Sequence, residues 1–278
     1  MKRSTLNFLI RILLPIRHPT LSPYRLLSSL ICLLLLCGVA QTRELTMTLS
    51  NPSSYFSGRA LDIAQAIRDG DSHRLKPLLQ GVDLNQFGRK NMTFLFYALQ
   101  EKQYDAIRLL VQAGADPTQP VPDFGSPLGW AMKLPDARLL AAMLDGGLSP
   151  NALSDDEPLI FFNTTEGSLE HLKLLVERGA DINAVDSLNG TPLYEALTAM
   201  QLDQAEYLIQ RGARHDTATR NGITIPFTVD TLIAGQQSGS PAWKKLNEIK
   251  KLLIERGARF PGLTPAEVKA RMAKPASR

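Results

Sequence analysis

The chain has 278 residues, of which 44% are hydrophobic and 21% charged. This globular composition excludes a largely disordered or collagen-like protein. Its formal charge of +4 is unevenly placed: residues 1–40 hold five basic residues (Lys2, Arg3, Arg11, Arg17, Arg25) and no acidic one, while residues 41–278 hold 26 Lys and Arg against 27 Asp and Glu, which disfavours a globally basic nucleic-acid-binding body.

The first predicted element is an export segment. Residues 26–40 are fifteen uncharged, mostly apolar residues. That is short of the roughly 20 a membrane span needs and fits a signal-peptide core. Small residues at Gly38 and Ala40 place a cleavage point after Ala40. A second apolar stretch at 6–16, broken by Arg11 and Pro15, leaves an uncleaved anchor in contact with the inner membrane open. Cys37 before Gly38 leaves a lipoprotein open, although Leu36 is larger than the residue that normally precedes a lipidated cysteine. All three send the chain beyond about residue 41 across the membrane, which is a periplasmic address.

Both cysteines, Cys32 and Cys37, lie in this segment. The exported part therefore has no disulfide, thiol nucleophile or thiolate metal site. Residues 41–58 are predicted to be a flexible linker, since 41–57 hold seven Ser or Thr.

From residue 59 a period takes over. Gly81, Gly114, Gly147, Gly179, Gly212 and Gly257 each end an apolar helical run, at spacings of 33, 33, 32, 33 and 45. Glycine there fits a left-handed position closing a helix, and the Asn or Asp that follows starts a turn. Upstream sits a second unit: Thr191-Pro192-Leu193-Tyr194-Glu195-Ala196, Ser126-Pro127-Leu128-Gly129-Trp130-Ala131 and Thr93-Phe94-Leu95-Phe96-Tyr97-Ala98, each starting 21 residues before its glycine. Thr or Ser caps a helix start, and Pro takes the first helical position, where no donor is lost.

This pattern resembles the ankyrin repeat, a turn plus two antiparallel helices with a T-P-L-H-x-A signature. The resemblance implies an all-α solenoid of about six units over 59–262, behaving as one domain because each unit buries its apolar face only on its neighbours. The signature His is replaced throughout, by Phe96, Gly129, Ile160 and Tyr194. Repeat four, from Glu157-Pro158-Leu159-Ile160, carries one extra residue, and the last repeat carries twelve, with a Gly/Ser/Pro run at 235–241 predicted to be a loop between its helices. Pro77 predicts a kinked or shortened helix in the first repeat. Within 263–278, Thr264-Pro265-Ala266-Glu267 forms a capping box opening a short helix that covers the last repeat, followed by a fraying tail.

Catalytic motifs are missing: no HExxH, GxSxG, Walker A or GxGxxG occurs. No cofactor or metal is expected. His73 and His171 fall near the starts of second helices, where the ankyrin resemblance implies solvated surface, and His215 is expected to be exposed. Asp116 and Asp181 follow Gly-Ala as ordinary turn residues. No catalytic residue is assigned.

The resemblance instead implies binding through turn tips and first helices. It places partner contacts at the tips Arg89, Lys90, Phe124, Asp155, Asp156, Glu157, Ser187 and Leu188. On the helices it places them at Gln100, Glu101, Lys133, Leu134, Thr165, Glu166 and Thr198. Tyr97 and Phe161 are read as core, whereas Trp130 and Phe124 are contact candidates, because aromatic anchors dominate binding hot spots. The mixed charge of this rim favours a protein partner over a polyanion.

An exported ankyrin array resembles periplasmic immunity proteins that neutralise secreted antibacterial effectors, such as lipases delivered by type VI secretion. It also resembles accessory ankyrin proteins that support envelope enzymes, for example in peroxide defence. Either way the expectation is a non-catalytic protein-binding module, monomeric before binding.

Overall fold

The computed structural model describes residues 51–122, 124–154, 156–165 and 168–273. The export segment at 1–40, linker residues 41–50, Asp155, Glu166 and the tail at 274–278 lie outside the described residues.

Six helix pairs follow the glycine period. They are α1 (Arg59–Arg68) with α2 (Ser72–Leu78), α3 (Phe94–Gln100) with α4 (Tyr104–Gln112), and α5 (Pro127–Lys133) with α6 (Ala137–Asp145). Then come α7 (Leu159–Thr165) with α8 (Leu169–Glu177), α9 (Pro192–Thr198) with α10 (Leu202–Gln210), and α11 (Ile225–Ala234) with α12 (Pro241–Glu255). A final helix, α13 (Pro265–Ala273), follows.

The local reasons are those of the sequence. Thr93, Ser126, Thr191 and Thr224 each accept the backbone N–H three residues on, satisfying a donor that the helix leaves orphaned. Pro127 and Pro192 sit at helix starts. The six period-marking glycines have φ between 67° and 109°, a region that a Cβ makes costly. Asn85, Asn151 and Asn183 then tie each turn to the next repeat, their Oδ1 accepting the N–H of Asp116, Asp181 and Arg214 at 2.7–2.8 Å.

Packing follows from the period. Leu95, Leu128 and Leu193, with Ala98, Ala131 and Ala196, are buried between repeats. The second helices pack in one unbroken row from α2 to α12. The first helices pack as α1–α3–α5 and as α7–α9–α11, and the direct packing between α5 and α7 is the weakest in the row. At that seam the chain forms a small hairpin, β1 (Leu153–Ser154) against β2 (Glu157–Pro158). Glu157 and Pro158 thus continue the turn as a strand, and α7 begins only at Leu159, later than the T-P-L register predicts.

The irregular features behave as their residues dictate. α2, which contains Pro77, has 7 residues, against 9 in α4. Residues 235–240 form the loop between α11 and α12. Thr264 and Glu267 exchange capping hydrogen bonds of 2.8 and 3.3 Å. α13 lies against the last repeat: a Cβ on Gly222 would meet the Pro265 carbonyl at 2.9 Å.

Three expectations need correction. The linker does not run to residue 58. Residues Pro52–Ser54 form a 3-10 turn, Phe56 stacks on Phe94 at 4.8 Å, and the Arg89 N–H donates to the Tyr55 carbonyl at 2.8 Å. Two adjacent aromatic residues bury too much apolar surface to stay in a solvated chain. His171 is not solvated either: it is fully buried. Its Nδ1 meets Ser168 Oγ at 2.5 Å and its Nε2 meets the Ala131 carbonyl at 3.1 Å. A carbonyl only accepts, so Nε2 carries the proton and Nδ1 accepts the serine hydroxyl. Burial pushes its pKa below the usual imidazole value. His73 is exposed, and His215 is half-buried rather than exposed.

Candidate functional site: a cleft at the seam of repeats three and four

Beside this seam the tip of repeat three, α5 and the hairpin enclose a cleft of about 240 Å³. Ser126 opens the wall by capping α5, accepting the Gly129 N–H at 3.0 Å. Gly129 stands where other copies carry Phe96, Ile160 or Tyr194, so no side chain fills the floor; a Cβ there would meet only Ser126 Oγ, at 3.2 Å. Trp130 is half-buried, and its indole N–H donates to the Phe124 carbonyl at 2.6 Å. Its ring meets buried Phe96 edge-on at 5.2 Å, and Phe124 lies 5.5 Å from the same ring. Three aromatic rings therefore brace one another before any partner arrives, which lowers the ordering cost of binding. Leu153 and Ser154 of the hairpin form the opposite wall, and Lys133 stands at the rim.

Apolar exposure concentrates at the tips. Phe124 is 42% exposed, Leu153 52% and Leu188 55%. These tips belong to three successive turns, and Phe124 and Leu153 share the cleft.

The sequence-predicted contacts divide into groups. Phe124, Trp130 and Lys133 converge on the cleft, and Asp156 and Glu157 sit exposed on the hairpin beside it. Asp156 holds its turn at φ 66°. Ser187 and Leu188 are exposed on the next tip, where Asp186 Oδ1 accepts the Leu188 and Gly190 N–H groups at 2.7 Å. Thr198 is exposed at the end of α9, its hydroxyl donating back to the Tyr194 carbonyl at 3.2 Å.

The others stand apart or are already engaged. Arg89 donates to the Ser53 carbonyl at 3.2 Å and Lys90 lies over the Tyr55 ring, so both hold the N-terminal segment in place. Gln100, Glu101 and Leu134 are half-buried, and Leu134 packs against the core. Thr165 ends α7. Asp155 and Glu166 are outside the described residues. Tyr97 and Phe161 are core residues. Asp116 and Asp181 each accept a backbone N–H two residues on, as turn formers.

Sequence reasoning missed Gly129 as the floor, and Leu153 and Ser154 as a wall. An apolar residue at a turn tip, where polar residues are usual, was the available signal for Leu153. It also missed Glu195, whose carboxyl lies beside Asp186 at Gly190. Glu195 is half-buried, and burial, followed by the charges of Asp186 and Glu157, pushes its pKa up. Among the described residues no helix is long and apolar enough to cross a membrane, and no three His, Cys, Asp or Glu side chains are placed to hold a metal.

Repeated turn–helix–helix units with capped first helices, left-handed glycine ends and inter-repeat asparagine bonds define a protein-binding repeat scaffold. The chain belongs to the ankyrin-repeat proteins. A family model described as ankyrin repeats in many copies matches residues 159–209. Protein PhlB of Serratia liquefaciens is 32% identical over 180 residues, covering 62% of this chain and 79% of that protein. Among solved structures, the ankyrin repeat domain of Bcl-3, a member of the IkappaB family, aligns with a TM-score of 0.53 at 23% identity over 74% of this chain and 92% of that one. An ankyrin repeat domain from Acinetobacter baumannii AYE aligns with a TM-score of 0.52 at 22% identity over 71% and 98%. These two likenesses show the fold.

Proposed function

We propose that this chain is exported to a bacterial envelope and there binds a secreted protein without catalysing a reaction, covering its active surface. An antibacterial effector of the lipase class is the partner this reading favours. The observation that carries it is the braced aromatic cleft flanked by the exposed tips Phe124, Leu153 and Leu188. Such anchors, surrounded by polar rim residues, are how a rigid scaffold concentrates binding energy. One-sided positive charge before the apolar run at 26–40 supports export, and the likeness to a Serratia protein supports a bacterial setting.

Two measurements test it. A periplasm-dependent reporter fused after Arg278 is active if the chain is exported; activity only as a cytoplasmic fusion overturns the address. Cells making the chain are expected to survive attack by a strain delivering a lipase-class antibacterial effector that the purified chain captures. Cells making a folded Phe124→Ala, Leu153→Ser variant at equal level do not. Equal survival overturns the occlusion surface.

A further inference from the structure

The cleft does not end at its apolar walls. Ser154, on the wall, pairs across the hairpin with Glu157. Glu157 lies close enough to Glu195 for its charge to act on it, as does Asp186. Asp186 Oδ2 and Glu195 Oε1 converge at Gly190, within 2.8 and 3.1 Å of where a Cβ would stand. Three carboxylates, Glu157, Asp186 and Glu195, thus cluster beyond the Ser154 wall between repeats four and five, with exposed Asp156 at the hairpin tip.

Among the described residues, no lysine or arginine forms an ion pair with Asp156, Glu157, Asp186 or Glu195. Elsewhere the molecule does pair comparable carboxylates: Glu206 with Lys245 at 2.5 Å and Asp230 with Lys250 at 2.6 Å. Leaving several carboxylates together and unneutralised on one rim is unfavourable in the free protein and favourable once a cation arrives.

We propose that the cleft and its acidic flank together take one segment of the partner protein, in which a bulky apolar side chain lies a few residues from a lysine or arginine. The apolar side chain enters over Gly129 between Trp130 and Leu153. The cationic head reaches the carboxylates of Glu157, Glu195 and Asp186. The size fits, because about 240 Å³ is below the usual range for small-molecule sites and suits a single side chain. The charge fits too: the acidic flank repels nucleic acid and anionic lipid. This inference rests on the protein-binding reading above and adds the chemistry of the partner.

The test is selection of a random peptide library displayed on phage against the purified full chain, followed by affinity measurement of the winning peptide. The result expected is enrichment of peptides carrying Leu, Phe or Trp within about five residues of Lys or Arg. Gly129→Leu, which fills the floor with a Cβ that meets only the Ser126 hydroxyl, at 3.2 Å, weakens the winning peptide tenfold or more. Glu157→Lys weakens it comparably, and raising salt weakens it further. Leu153→Glu serves as a second blocking variant should Gly129→Leu fail to fold by circular dichroism. Enrichment without a basic preference, binding indifferent to the blocking variants, or no enrichment overturns the proposal. The two readings fail separately. If the cleft variants leave peptides unaffected while the full chain still protects cells, only the partner chemistry falls; if protection is missing as well, the binding role falls with it.

Discussion

Repeats three and five start from almost the same six residues, Ser126-Pro127-Leu128-Gly129-Trp130-Ala131 and Thr191-Pro192-Leu193-Tyr194-Glu195-Ala196. The outer four positions do the same physical work in both: a capping oxygen, a proline at the helix start, and a buried Leu and Ala. The inner two differ. Gly129 and Trp130 open an aromatic-walled cleft, whereas Tyr194 packs against the core and Glu195 places a half-buried carboxyl beside Asp186. The scaffold is therefore written in the shared positions and its binding character in the pair between them.

That division can be broken by substitution. The largest effect belongs to the shared leucines. Leu193→Ala and Leu128→Ala, both fully buried, are each expected to lower unfolding free energy by roughly 2–5 kcal/mol, the range for emptying a buried leucine site. Chemical denaturation checks this, and an unchanged midpoint at either site contradicts the shared register. Next come the caps: Ser126→Ala and Thr191→Ala are each expected to cost about 1 kcal/mol. A cost at one and none at the other would show that the two starts are not equivalent.

The smallest effect is a pH dependence at the seam. His171 is buried in its neutral form, with its pKa below that of the unfolded imidazole. The unfolded chain thus takes up more protons below about pH 6.5, so His171 favours folding above that pH and disfavours it increasingly as the pH falls. Stability measured at pH 7.5 and 5.5 is expected to drop on acidification, and His171→Leu to reduce the drop. An equal drop in the variant removes His171 from the account.

The register of the repeats was legible because glycine, proline and the capping hydroxyls constrain the backbone locally, each within a few residues of itself. What escaped depends on distance through space. The ankyrin resemblance puts His171 on the surface, because second helices of that family often carry polar residues at their starts. Counting back eight residues from the closing glycine instead aligns it with Ala106, Leu139 and Gln204, all buried. Tyr55 and Phe56 were read as linker because Ser and Thr surround them, yet their partners Phe94 and Tyr97 lie about forty residues on. For the site, Phe124, Trp130 and Lys133 were legible as tip and inner-helix positions. The cleft between them was not, since its opposite wall, Leu153 and Ser154, is set by a hairpin whose pairing no local residue announces.

The most direct test of the central claim, that binding resides at the seam of repeats three and four, is the affinity of the purified full chain for a protein partner isolated by affinity capture on it, compared with that of its Phe124→Ala, Leu153→Ser variant. Loss of a central apolar anchor is worth about 2 kcal/mol or more, so the account predicts at least a thirtyfold weaker Kd, with an unchanged circular dichroism spectrum because neither side chain belongs to the buried core. A folded variant that binds as tightly as the parent chain would contradict it.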